Sequence, residues 1–225
     1  MAVSADGSRG RFITLEGPEG SGKTTAARHL ATWLEKHGVR VVLTREPGGT
    51  ALGDEIREIL LHHRGLADDL DPRADALLFA AQRAQHVARL IRPTLEQGGW
   101  VICARYAESS LAYQGAAYGN DPDEMRGLQR FATGGLVPDL TILLDVPVEV
   151  GLARKRREAW NRFEDTEGVA FFEKVRAAYL AMAAEDPGRI RVIDGSGQVT
   201  GTDAAVRALV APLLDARGVG VTGPK

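Results

Sequence analysis

Residues 17–24 read Gly17-Pro18-Glu19-Gly20-Ser21-Gly22-Lys23-Thr24, a G-x-x-x-x-G-K-[ST] run. Its glycines let the backbone curl until successive N–H groups face one anion. A helix starting near Lys23 would aim its positive end at the same point. The lysine can then reach the β- and γ-phosphates of a nucleoside triphosphate, and the Thr24 hydroxyl can ligate Mg²⁺. The motif carries this meaning only between a strand and a helix. Both flanks are present: Phe12-Ile13-Thr14-Leu15 is an apolar run, and Thr25 to Lys36 is helix-like. A glycine-rich turn with a solvated lysine would not need those flanks. Residues Gly17 to Thr25 are therefore read as a triphosphate site, for ATP or GTP.

Two further loops carry charge where it could meet that site. One is Thr44-Arg45-Glu46-Pro47-Gly48-Gly49-Thr50; the other runs from Ala104-Arg105-Tyr106 to Ser110, Tyr113 and Gln114. Arg45 and Arg105 each follow an apolar run, and two such arginines can clamp a second phosphate by forked hydrogen bonds. Phe79 and Arg83 stand four apart, hence on one helical face. Together they could stack on a base and donate to its carbonyl oxygen; the plainer reading puts Phe79 in the core and Arg83 at the surface. Residues Arg154 to Arg162 hold five basic side chains in nine. In isolation that is a solvated face; opposite a triphosphate it is what a closing lid needs. Cys103 reads as a small core residue, His86 as structural, and His62 and His63 as surface residues.

The elements that must position these groups alternate. Candidate strands lie at 11–16, 39–43, 100–104, 139–145 and 189–194, and candidate helices near 23–37, 51–63, 73–97, 107–116, 122–133, 147–158, 167–184 and 202–216. Strand–helix alternation implies a parallel sheet with helices on both faces, and ligands at the carboxyl ends of its strands. With 225 residues, 44% of them hydrophobic, one α/β domain over 11–216 is expected, with loose tails at 1–10 and 217–225. A net charge of −2 gives no global field for nucleic acid, and a single cysteine excludes a disulfide framework within the chain. No apolar run reaches about 18 residues, so no membrane partner is expected and a cytoplasmic location is.

The motifs resemble those of thymidylate kinases. The specific matches are Thr44-Arg-Glu-Pro-Gly-Gly, Leu78-Phe79-Ala-Ala-x-Arg83-Ala-x-His86, and Arg105-Tyr106-x-x-Ser-Ser-Leu-Ala-Tyr-Gln114-Gly. The resemblance spans about residues 11–194. It implies a P-loop NTPase fold: a five-stranded parallel sheet, helices on both faces and a lid at about 154–165. It implies transfer of a phosphoryl group from ATP to dTMP with Mg²⁺, and a homodimer. Arg45 and Arg105 match ligands of the acceptor phosphate. Phe79 matches the ring that stacks on thymine, and Arg83 the donor to its O4. Ser110 and Gln114 match the lining of the base pocket, and Tyr113 the ring beneath the deoxyribose. Glu19 matches an acid that approaches the acceptor. The catalytic set implied is Lys23, Arg105, Glu19 and the lid residues Arg154 and Arg162, with Thr24 on the metal.

Several positions depart from the family pattern. An aspartate is usual where Ala104 stands, and also at Gln82, Asn161 and Glu108; an arginine is usual at Tyr118. The change at position 82 removes a charge that could hold Arg83. Three readings are open: a dTMP kinase in which Glu19 and bound water cover for the missing acid, a kinase for another or modified pyrimidine monophosphate, or a nucleotide-binding protein with little catalysis. A GTPase is disfavoured, because no Asn-Lys-x-Asp motif is present.

Overall fold

Five strands make one parallel sheet: β1 (Phe12–Glu16), β2 (Val41–Arg45), β3 (Trp100–Ala104), β4 (Leu140–Asp145) and β5 (Ile190–Asp194), in the spatial order β2-β3-β1-β4-β5. The computed structural model describes residues 10–62, 70–155 and 168–216. The central strands β1 and β3 are buried at every position. Their unbroken apolar runs suit strands covered on both faces. The edge strand β5 is only partly covered: Ile190 and Ile193 are buried, one in each of two core clusters, while Arg191, Val192 and Asp194 are exposed. β2 begins two residues later than expected, because its pairing with β3 runs from Val41 opposite Trp100 to Arg45 opposite Ala104. Arg45 is thus a strand residue at the sheet's carboxyl edge.

The helices are α1 (Lys23–Lys36), α2 (Ala51–His62), α3 (Pro72–His86), α4 (Arg92–Glu96), α5 (Ala107–Ser110), α6 (Pro122–Thr133), α7 (Val148–Lys155), α8 (Val169–Glu185) and α9 (Val199–Asp215). Asp71 caps α3 through the Arg73 N–H at 2.9 Å, with Pro72 in the first turn. The long helix expected at 73–97 is not continuous. A π-helical turn, Val87–Ile91, separates α3 from α4. Pro93 sits in the first turn of α4 and supplies no N–H, so the turn before it must close differently. A second π-helical stretch, Leu111–Ala117, carries Tyr113 and Gln114.

Alternate strand residues feed two cores. Ile13, Leu15 and Ile102 pack with Ala26, Leu30 and Leu34 of α1 and Val206, Val210 and Leu214 of α9. On the opposite face Phe12, Val101 and Cys103 meet Val87, Ile91 and Tyr106. A third cluster joins Phe79, Tyr113, Leu143, Phe172 and Tyr179. Each large side chain so buried contributes about 1.5–3 kcal/mol. The helices therefore hold the carboxyl-edge loops in register.

Candidate active site

The loop after β1 rests against α7. Gly20 has φ 68°, and a Cβ there would fall 1.9 Å from the Gly151 carbonyl oxygen. Only glycine lets the two backbones meet. Inside the loop, the buried Lys23 ammonium donates to Gly17 O at 3.0 Å, Pro18 O at 2.7 Å and Ser21 Oγ at 3.0 Å. Burial, aided by the nearby Arg105 charge, pulls its pKa down to about 7, against the pull of Glu19 and Glu16. Thr24, at the start of α1, is exposed and lines the cleft.

Arg105 follows β3 with φ 71°, the one positive φ outside glycine among the described residues. This costs of order 1 kcal/mol and needs surroundings that enforce it. Its N–H still bonds Leu15 O at 2.9 Å, extending the sheet by one rung. Its guanidinium turns over the phosphate loop, reaching Glu19 Oε1 at 2.7 Å and the Tyr113 hydroxyl at 3.2 Å. It also lies 5.0 Å from the Tyr113 ring centroid. Burial pushes Glu19 up, but Arg105, Lys23 and Lys155 outweigh it and hold the carboxyl below its ordinary value.

Around these groups opens a cleft of about 200 Å³. Residues of the phosphate loop, Thr25, Arg45, Phe79, Tyr113 and Gln114 line it, and Arg105 links the loop, at Glu19, to Tyr113. Arg57 also lines it, which the motifs did not suggest. It donates to Pro47 O at 2.8 Å, and burial together with Arg45 and Arg105 lowers its pKa. The available signal was slight: Arg57 stands four residues before Leu61 on α2, and both face the cleft. Ser109 and Lys155 are further members not anticipated.

Arg83 and Ser110 lie behind the lining rather than on it. Arg83 is neither at the surface nor short of a partner. It is 1% exposed; its Nε donates to Glu46 Oε2 at 2.7 Å, and its other nitrogens to Ser110 Oγ at 2.9 Å, Tyr106 O at 2.9 Å and Gln129 Oε1. Four of its five N–H groups are used in these bonds. The charge expected to be lost at position 82 is thus supplied by Glu46. Gln82 braces it, donating to Glu46 Oε2 at 3.1 Å and accepting from Gly48 N at 3.1 Å. His86 adds a bond to Glu46 Oε1 at 2.9 Å, a structural role. Burial raises Glu46, yet Arg83, His86 and Gln82 together hold it below the usual carboxylate range. Glu46→Ala would strand the Arg83 charge, and a loss of about 3–5 kcal/mol is expected in denaturant unfolding. A loss under about 1 kcal/mol, the scale of an exposed pair, would contradict this account.

Gln114 donates to Asp75 Oδ2 at 2.9 Å, which fixes its amide. Arg154 turns from the cleft and donates to Gly195 O at 2.8 Å and Ser196 O at 2.7 Å. It ties α7 to the loop after β5, and Lys155 takes the cleft-facing place. Asn161, Arg162, Arg156 and Arg157 lie outside the described residues. Among the described residues no cluster of His, Cys, Asp and Glu could hold a metal. A cation here would take the Thr24 hydroxyl, nucleotide phosphates and water, a donor set that suits Mg²⁺.

Residues 15–206 match the family model described as Thymidylate kinase. A thymidylate kinase of Thermomicrobium roseum is 55% identical over 186 residues, covering 82% of this chain and 87% of its own. One from Pseudomonas fluorescens is 47% identical over 211 residues, covering 93% and 99%. The crystal structure of a thymidylate kinase from Ehrlichia chaffeensis superposes with a TM-score of 0.70 at 35% identity, covering 92% of this chain and 99% of that one.

Proposed function

The chain belongs to the thymidylate kinase family, and from that premise we propose how its cleft moves a phosphoryl group from ATP to dTMP. The observation that carries the reading is one cleft with two anion sites. The phosphate loop with Lys23 forms the first, and Arg45, Arg57 and Arg105 form the second. A base-sized apolar end adjoins the second site, lined by Phe79 and Tyr113. Two phosphates that repel each other are thereby held at reacting distance by fixed positive charge.

In the transfer, an oxygen of the dTMP phosphate attacks the γ-phosphorus. A new P–O bond forms, and the bond to the β-phosphate oxygen breaks to release ADP. The acceptor phosphate is ionised near pH 7, so no general base is needed. Lys23 takes charge from the β- and γ-oxygens as they separate. Glu19 holds Arg105 toward the acceptor. Phe79 stacks on thymine, Tyr113 packs beneath the deoxyribose, and Gln114 lines the base pocket. Arg83 stands behind this wall with one N–H left over from its internal bonds, and it donates to thymine O4 once dTMP parts the wall; Ser110 holds its Nη1 in place. Mg²⁺, held by Thr24 and phosphate oxygens, would supply further charge neutralisation. With Ala104 at the end of β3, Glu19 is the phosphate-loop carboxylate that faces the cleft. Lys155 and Arg162 are the lid cations of this reading, while Arg154 anchors α7, which carries Lys155.

No described helix is long and apolar enough to cross a membrane. A homodimer in the cytoplasm is part of the proposal, and light scattering of the purified protein tests the dimer. The readings that gave the departures to another acceptor or to weak catalysis are not favoured by relatives of 47–55% identity that are thymidylate kinases. The test is ADP release with ATP, Mg²⁺ and, in turn, dTMP, dUMP, dCMP, dGMP and 5-substituted dUMP analogues. dTMP should be preferred by at least about tenfold. A better acceptor, or none, would overturn the assignment.

A further inference from the structure

Three oxygens beneath Arg105 lie at mutual hydrogen-bonding distance. Ser109 Oγ is 2.6 Å from Glu16 Oε2, the Tyr179 hydroxyl is 2.9 Å from the same Oε2, and the two hydroxyls are 2.8 Å apart. Two hydroxyls own two hydrogens, and three contacts need three. A carboxylate has none to give. A neutral carboxylic acid supplies the third, so that Glu16 donates to Ser109, Ser109 to Tyr179 and Tyr179 back to Glu16 Oε2. Arg105 Nη1 cannot replace it, because it donates into the ring from outside, to Ser109 Oγ at 3.2 Å and the Tyr179 hydroxyl at 3.4 Å. Each hydroxyl then accepts two bonds and donates one. Glu16 Oε1 accepts from Tyr106 N at 2.6 Å. Every group in the ring is satisfied once Glu16 holds a proton, and each of the three residues is buried.

The surroundings agree. Burial and the neighbouring Glu108 of α5 push Glu16 upward, against the contacts with Ser109 and Tyr179 and the Arg105 charge. Lys23, Cys103 and Tyr113 are the other titratable groups that feel Glu16. Position gives the ring its use. Glu16 ends β1 just before the phosphate loop, Ser109 sits on α5, and Tyr179 comes from α8, the first described helix beyond the lid segment.

We propose that Glu16, Ser109 and Tyr179 form a closed, proton-bearing ring that positions Arg105 for the acceptor phosphate, with Glu16 as its neutral acid. These are positioning residues; Arg105 is the group that touches the substrate. The proposal rests on the reading of Arg105 as the acceptor clamp. Arg105 donates five bonds around itself, four of them 3.2–3.4 Å long. Long bonds of this kind can be handed to a phosphate while the ring keeps the guanidinium from following it.

The experiment combines spectroscopy with kinetics. The infrared difference between wild-type protein and Glu16→Gln at pH 7 should show the carbonyl stretch of one protonated acid, absent in the variant. Tyr179→Phe should raise KM for dTMP about tenfold, the scale of one hydrogen bond to a charged group. Its KM for ATP should stay within about twofold, and its melting temperature near that of the wild type. Glu16→Gln, whose amide nitrogen can donate to Ser109 but cannot accept from Tyr179, should restore only part of the dTMP affinity lost in Glu16→Ala. A carboxylate signal in place of the acid band overturns the ring. An acid band with an unchanged KM for dTMP in Tyr179→Phe overturns its positioning role. Full dTMP affinity in Arg105→Lys would overturn the clamp reading itself, a separate failure.

Discussion

Lys23→Met lowers kcat by about a thousandfold, the scale of a lost charge at a transferring phosphoryl group. Before nucleotide binds, the ammonium is held by Gly17 O, Pro18 O and Ser21 Oγ. Burial and Arg105 bring its pKa to about 7. At pH 8 the free enzyme therefore holds this lysine mostly neutral. A bound triphosphate restores the charge, so binding of MgATP takes up a proton. Affinity falls as pH rises through 7, by up to about tenfold per pH unit. Calorimetry at pH 8 in two buffers of different ionisation heat should give an uptake near one proton, and none for Lys23→Met. The same depression has a sign for folding. A lysine titrating at about 7 when folded and 10.5 when unfolded binds fewer protons in the native state. Its contribution to nucleotide-free stability therefore rises between those values as pH rises. Equal proton uptake in wild type and Lys23→Met would remove Lys23 as the source.

The parts legible from sequence were those with a local cause. A run such as Trp100-Val101-Ile102-Cys103 marks a strand covered on both faces wherever it occurs. The phosphate loop is contiguous, and Arg45 and Arg105 sit where strands end. What stayed hidden depends on distant partners. The Arg83 charge is met by Glu46, 37 residues away, and Glu16 by Tyr179, 163 away. Periodicity reports which face is buried, not which remote charge makes burial tolerable. Nor does the basic run announce that two carbonyls after β5 hold Arg154, one of the residues expected to be catalytic. The two-residue shift of β2 has a similar origin, since register belongs to the pair of strands and not to either one.

Arg105→Lys lowers kcat/KM for dTMP by about a thousandfold, near 4 kcal/mol of lost transition-state binding. The substitution keeps the charge and removes the geometry. A lysine has three donors on one nitrogen; Arg105 spreads its donors over two amino groups, with Glu19 and Tyr113 on one and Gly17 O, Ser109 and Tyr179 on the other. The flat guanidinium also lies over the Tyr113 ring, a contact a flexible ammonium holds poorly. The left-handed backbone at position 105 remains in either variant, so its strain does not distinguish them. Because the positive charge near Lys23 persists, KM for ATP should change little. Arg45→Lys is the control: Arg45 is exposed and no side-chain hydrogen bond fixes it among the described residues. Its loss should be nearer tenfold, as for a partly screened phosphate contact. If the two variants lose equal activity, net charge alone holds the acceptor phosphate. A much larger loss at Arg105 means that the fork, fixed from below by Ser109 and Tyr179 and from the side by Glu19, carries the acceptor site.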